Sequence, residues 1–248
     1  MRATRGATRA KPGRRSGARP GPGRLPATSR PRQDASPRRL RVVVTAGPTR
    51  ERIDPVRYLS NDSSGRMGFA IAAAAAAAGH EVTLVAGPVS LPTPPGVRRV
   101  DVESAREMLA ATEPAFRKAD ALYMAAAVCD WRPARRLRGK WREKERRTGR
   151  AVLELVENPD VLATLARSKG KRLVVGFALE TGSGLARARA KLSAKGLDFV
   201  VWNDASALNA PRASVIILGQ EGSQRRLADR PKEAIARELV ALLTRPRA

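Results

Sequence analysis

The sequence predicts an α/β domain with a mostly parallel sheet and helices on both faces, and three observations carry this reading. From Arg41 onward short, β-branched or apolar runs take turns with helical stretches, the signature of repeated βα units. Glycine stands where the helices should stop, at Gly79 and Gly196, because a left-handed residue closes a helix without a Cβ penalty. The change of composition at Arg41 is abrupt, from an Arg/Pro/Gly-rich segment to the run RVVVTAG.

The elements follow in order. RVVVTAG reads as a buried first strand, followed by a long loop that ends in SNDSSGRMG and opens the helix FAIAAAAAAAG, alanine being the best helix former. EVTLVAG and VRRVDV are strands, SAREMLAATEPAFRKA a helix and ALYMAAAV a further apolar strand. Residues 129–149, charged and punctuated by Gly and Pro, read as a mobile loop. Order resumes at AVLELV. Asn158-Pro159-Asp160 then supplies a helix with a cap, a first-turn proline and an acid near its positive end. RLVVGFAL is strand, GLARARAKLSAKG helix and LDFVVWND strand, followed by a small C-terminal β-hairpin through SVIILG and a final helix near PKEAIARELVALL. The whole is Rossmann-like, and no internal repeat is visible.

Charge must be located before it is interpreted. Of the formal net charge of +25, residues 1–39 contribute +11, from twelve Lys or Arg against the single acid Asp34. This segment has almost nothing to bury, so it is expected to be a disordered basic tail, with residues 40–248 as the folded domain. Its six prolines argue against the continuous helix of a transit peptide. A polyanion-binding arm is the functional alternative. The lone Cys129 excludes an intramolecular disulfide framework and a Cys-based structural zinc site. No apolar secretory core or bilayer-length apolar stretch is present, and the alanine run at 72–78 is too short to span. The expected compartment is the cytoplasm.

Ligands of open α/β sheets bind at the carboxyl ends of the strands. The loop TAGPTRERIDPVRYLSNDSSGRMG gathers small residues, hydroxyls and glycines just before a helix N-terminus, where free N–H groups and the helix dipole favour an anion such as phosphate. Neither the dinucleotide nor the P-loop fingerprint is matched. That mismatch disfavours a nicotinamide-dependent reductase. The competing account of the same glycines and serines is turns and caps alone.

TAGPTRERIDPVRYLSNDSSGRMGFAIA resembles the signature of the phosphopantothenoylcysteine synthetase family. LVAGPVSLPTPPGV, AAAVCDW, ENPDVL, VVGFALET and AKLSAKGLDFVVWND resemble the same family in order. The resemblance covers the chain from about Arg41 to the last helix. It implies a ligase that activates 4′-phosphopantothenate with CTP to an acyl-cytidylate, releases pyrophosphate and passes the acyl group to L-cysteine. It implies Mg²⁺ as divalent cation, CTP as the nucleotide typical of bacterial members, with ATP left open by the sequence, and a homodimer. No flavin is expected here, so the decarboxylase that many relatives carry would be a separate protein.

The resemblance also implies site residues. Asn61 matches the asparagine that handles the acyl-nucleotide, an amide able to donate and accept, although without its flanks it reads as a turn asparagine. Gly47, Ser63, Gly65 and Gly68 match positions near the nucleotide phosphates. Met124, Ala125 and Ala126 match a wall of the nucleotide pocket, with Asp130 close behind; a strand packed through small residues is the alternative. Lys140 matches a lysine that approaches the triphosphate, and otherwise reads as a solvated side chain. Here the sequence departs from the family pattern of lysine, apolar residue, lysine: it has Lys140-Trp141-Arg142, and a guanidinium is not equivalent to an ammonium. Pro159, Asp160, Val161 and Leu162 match a nucleotide-binding helix start, and Phe177 a residue against base or ribose, with plain core packing as its alternative. Lys191 and Lys195, four apart, share one helix face. Cys129 and His80 receive no catalytic role. The rival from another class is a nucleic-acid-binding protein acting through the basic tail.

Overall fold

The structure is a computed structural model that describes residues 38–142, 149–180, 184–204 and 210–244. The expectation of a disordered tail falls on residues 1–37, outside the described residues.

Twelve strands and five α-helices follow one another among the described residues. They are β1 (Arg41–Ala46), β2 (Arg50–Arg52), β3 (Tyr58–Ser60), α1 (Arg66–Ala77), β4 (Glu81–Ala86), β5 (Val97–Asp101) and α2 (Ala105–Arg117). Then come β6 (Ala121–Met124), β7 (Trp131–Pro133), β8 (Leu155–Glu157), α3 (Val161–Ala166), β9 (Leu173–Glu180) and α4 (Gly184–Ala194). β10 (Phe199–Asp204), β11 (Arg212–Gly219), β12 (Gln224–Pro231) and α5 (Lys232–Val240) complete the chain. Eight strands form one sheet in the order β12-β11-β10-β9-β6-β1-β4-β5. The six from β5 to β10 are parallel, and β11 and β12 extend the sheet antiparallel. The C-terminal hairpin is therefore a continuation of the main sheet.

The central strands are apolar because both faces are covered. Val42, Val44 and Ala46 of β1 face α1 and α5, and Val43 faces the side of α2, α3 and α4. Each of the three valines is at most 2% exposed, which stabilises the fold by roughly 1.5–3 kcal/mol per side chain. Tyr123 crosses to the first face and donates its hydroxyl to the Leu239 carbonyl of α5 at 2.8 Å, so its one polar atom is satisfied inside the core. The outer strand β12 reads QRRLADRP and leaves mostly polar side chains exposed, which discourages pairing with another chain. Gly79 and Gly196 both take positive φ at helix ends, as their positions predict.

Four details differ from the sequence reading. The loop after β1 contains a short ribbon, β2 against β3. Strand β6 stops at Met124, four residues before the end of the predicted run; Ala125 to Val128 leave the sheet except for one bridge, Pro48 with Ala127. The stretch 129–149 holds a strand: Trp131–Pro133 pairs with Leu155–Glu157, the ordered part of AVLELV. Residues 143–148 of that stretch lie outside the described residues. The α3 cap is Asp160, whose carboxylate accepts from the Ala163 amide. Asn158 is used elsewhere: its Nδ2 donates to the Cys129 carbonyl at 2.9 Å.

Candidate functional site

The order in which strands are added to the sheet reverses between β1 and β6. From β1 the chain runs outward through β4 to β5, then returns to β6 on the other side of β1 and continues to β9 and β10. The loops leaving β1 and β6 must diverge at this switch point and leave a crevice there. A cavity of about 530 Å³ fills it, a size that suits a nucleotide-scale ligand.

The floor of the crevice is a stitched pair of loops. The Ala127 amide donates to the Gly47 carbonyl at 2.9 Å, and the Thr49 amide to the Ala127 carbonyl at 3.2 Å. Thr45 Oγ1 accepts from the Ala126 amide, and Thr49 Oγ1 from the Cys129 amide. Small residues let the elements meet. A Cβ on Gly68 would stand 2.5 Å from Ala46 Cβ and 2.9 Å from the Thr45 carbonyl oxygen, so α1 sits directly on β1. Gly65 takes φ +76° and has Gly47 Cα 3.3 Å from where its own Cβ would be.

This close seating aims the start of α1 into the cavity. Gly65 is the N-cap, no side chain caps the helix and no acid occupies its first turn. The opening amides of a helix lack intrahelical acceptors and sit at its positive end. Ser63 Oγ is turned back to the Gly65 amide at 3.4 Å. Ser63, Ser64, Gly65, Arg66, Met67 and Gly68 all line the cavity, so a phosphate placed there would meet backbone donors, a hydroxyl and a guanidinium.

The remaining walls come from three directions. Met124 ends β6 and Ala125, Ala126 and Asp130 follow it, while Pro159, Asp160, Val161 and Leu162 open α3. Phe177 on β9, Lys191 on α4 and Lys195 just past the end of α4 close the far side. Lys191 Nζ donates to the Phe177 carbonyl at 2.7 Å; burial, then the neighbouring Lys195, push its ammonium below the ordinary lysine range. Lys195 pairs with Asp160. Burial works to raise the Asp160 carboxyl, but the Lys195 hydrogen bond and the Ala163 amide together hold it below the ordinary value.

Three of the expected residues are not in the cavity wall. Gly47 lies beneath Gly65 as packing floor. Asn61 stands at the edge, its Nδ2 donating at 3.0 Å to the carbonyl of Ala127, a lining residue, and lying 3.7 Å from Cys129 Sγ. Lys140 is exposed and is not among the lining residues. Its neighbour Trp141 is tied to the β2–β3 turn: the Trp141 amide donates to Asp54 Oδ2 at 3.0 Å, and Arg57 bonds the Trp141 carbonyl. Asp54 is fully buried. The amides of Trp141, Val56 and Arg57 outweigh the cost of burial and lower its carboxyl to about 2.

The cavity also holds residues the sequence did not single out: Arg66, Trp131, Glu157, Asn203 and Lys232. Lys232 carries one legible signal. A lysine at the first position of a helix opposes the helix dipole, yet PKEA looks locally like any exposed helix start. Nothing in the chain's local pattern marks Asn203 or Glu157.

A phosphate-receptive crevice at the switch point of a six-strand parallel core defines a nucleotide-binding α/β domain of Rossmann-like type. The sequence profile of the DNA/pantothenate metabolism flavoprotein C-terminal domain matches residues 38–245, and the chain belongs to that family, the phosphopantothenoylcysteine synthetase part of the CoaBC proteins. It is 45% identical over 190 residues to the coenzyme A biosynthesis bifunctional protein CoaBC of Escherichia coli strain K12, covering 75% of this chain and 47% of that protein. The chain thus spans about half the length of the curated relatives it matches. Its structure is similar to the crystal structure of a CoaBC C-terminal domain, with TM-score 0.71, 38% identity and coverage of 82% of this chain and 93% of that one. A Cab2 variant solved in complex with phosphopantothenate-cysteine shares the fold at TM-score 0.69 and 20% identity, covering 82% and 86% of the two chains. No helix among the described residues is long and apolar enough to cross a membrane.

Proposed function

We propose that this chain is the phosphopantothenate–cysteine ligase of its family and works in two steps. The 4′-phosphopantothenate carboxylate attacks the α-phosphorus of CTP, giving an acyl-cytidylate and pyrophosphate. The L-cysteine amine then attacks the acyl carbon, giving 4′-phosphopantothenoylcysteine and CMP. The observation that carries this reading is the single cavity against which the open start of α1, Asp160, Lys191 and Lys195 converge.

In this reading the α1 amides, Ser63 and Arg66 cradle phosphates, and Lys191 and Lys195 supply countercharge from α4 and the turn that follows it. Charge developing on the transferred phosphoryl group would meet donors already in position, which removes the cost of reorienting solvent. Met124, Ala125 and Ala126 leave room for the nucleoside, and Phe177 offers its ring. Asn61 sits where its amide can reach the acyl group from the cavity edge, while its anchoring bond to Ala127 keeps it in one orientation. Lys140 acts from the neighbouring loop, and Arg142 replaces a lysine there.

Among the described residues no three His, Cys, Asp or Glu side chains form a metal cluster. The cavity does offer the carboxylates Asp130 and Glu157 beside the Lys195-paired Asp160, oxygen donors of the kind that would hold Mg²⁺. When bound, Mg²⁺ would neutralise phosphate charge during activation. Residues 40–248 are proposed as the synthetase domain and 1–39 as a basic tail, in a cytoplasmic homodimer.

The test is pyrophosphate release with Mg²⁺, phosphopantothenate and cysteine, comparing CTP with ATP and omitting each substrate in turn. Release that requires phosphopantothenate and runs faster with CTP is expected. Asn61→Ala should accumulate acyl-cytidylate. No release from folded protein with either nucleotide overturns the proposal, and wild-type turnover in Asn61→Ala overturns its assignment.

A further inference from the structure

The cavity has a second cationic end that neither the family signature nor Lys191 and Lys195 account for. Beside the start of α1 its wall is Val201 and Asn203 of β10, Ala213 and Val215 of β11, and Lys232 at the head of α5. Val201, Ala213 and Val215 are buried, and Lys232 itself is only 6% exposed. A buried ammonium at this place is disfavoured three times over. It loses hydration; it stands in the first turn of a nine-residue helix, at the positive end of the dipole; and Arg66 lies close enough to oppose its charge. Glu233 works in the other direction, yet burial and Arg66 still leave the ammonium below the ordinary lysine range. A bound anion relieves all three penalties together, and apolar walls strengthen its attraction to the two cations.

We infer that Lys232, together with Arg66 and the first turn of α1, forms an anion subsite that holds a phosphoryl group of one of the two anionic substrates. This inference rests on the ligase reading above for the identity of those substrates. The phosphomonoester of the acyl substrate and the triphosphate of the nucleotide share the required chemistry. Lys232 is thus a substrate-binding residue supplied by the last helix. It would tie the antiparallel extension of the sheet to catalysis at the switch point.

The test uses the full chain and the variants Lys232→Met, Lys232→Arg and Arg66→Gln. Initial rates of pyrophosphate release are measured while phosphopantothenate, CTP and cysteine are varied in turn. Lys232→Met should raise KM for one anionic substrate by about 10- to 100-fold, the loss expected of a charged hydrogen bond, and leave KM for cysteine unchanged. Lys232→Arg should recover most of the loss. A rise confined to phosphopantothenate identifies the phosphomonoester, and one confined to CTP identifies the triphosphate.

Thermal melts with and without inorganic pyrophosphate give a readout independent of turnover. In Lys232→Met the stabilisation by pyrophosphate should shrink relative to wild type. If the wild type releases no pyrophosphate but is stabilised by it through Lys232, the ligase reading fails and the subsite stands. Unchanged KM values in Lys232→Met, a lowered melting temperature with all parameters falling together, or equal pyrophosphate stabilisation of wild type and variant would each overturn the subsite.

Discussion

Asp160 holds two jobs whose contributions can be separated. Its carboxylate caps α3 by accepting from the Ala163 amide at 2.9 Å, and it pairs with Lys195 across the cavity mouth. Loss of an N-cap costs about 1 kcal/mol. The ion pair is half-exposed on the Asp160 side, so its contribution is discounted to about 0–1 kcal/mol. Asp160→Ala should therefore cost about 1–2 kcal/mol, which lowers Tm by about 2–8 °C for a domain of this size. Asp160→Asn keeps a capping oxygen and loses only the charge, so it should cost no more than about 1 kcal/mol, as should Lys195→Met. Urea and thermal melts of the wild type and the three variants at neutral pH test this. The carboxyl lies below its ordinary 3.8 in the folded protein. The pair's contribution is therefore present above that ordinary value and is lost as pH falls below it, which should merge the wild-type and Asp160→Asn curves in acid. Equal losses for Asp160→Asn and Asp160→Ala would refute the division between cap and pair. A fully stable Asp160→Ala would refute both assignments.

Two further predictions follow from the packing. In Gly68→Ala the new Cβ meets Ala46 and the backbone oxygen of Thr45, which cannot swing aside; overpacking of about 1–3 kcal/mol outweighs the helix-propensity gain of about 1 kcal/mol. Tm should fall and nucleotide affinity should weaken with it, whereas a higher Tm contradicts the close seating of α1. Asp54, with its carboxyl at about 2 against an ordinary 3.8, contributes stability that is full above about 4 and is lost as pH falls through about 2. Urea midpoints of wild type and Asp54→Asn measured at pH 7, 4 and 2.5 should converge in acid, and a constant gap contradicts the three-amide clamp.

Much of the architecture is legible in the chain itself. RVVVTA and ALYM are apolar because strands in the middle of a parallel sheet bury both faces, and the alanine-rich α1 announces itself through propensity alone. The small ribbons were not legible. RER and YLS are three residues each and too short for any period to show, while Trp131–Pro133 is hidden in a charged run and is held by pairing with β8. The α3 cap was misplaced by two residues because Asn158 and Asp160 are both good capping residues, and only the demand of the Cys129 carbonyl on Asn158 separates them.

The candidate site divides in the same way. Its first loop could be read from sequence, since glycines and hydroxyls before a helix are a local pattern with local physics. Lys232 could not, because PKEA is the same string whether its lysine is solvated or buried. What buries it is the packing of α5 against α1 on one face of the sheet, a contact between segments more than 150 residues apart. The sequence by itself determined the βα alternation, the glycine-lined phosphate loop and the family, all carried by short-range pattern. Tertiary structure alone decided which cations share the cavity and that Lys140 stands outside it, because burial and charge proximity depend on which distant elements pack together.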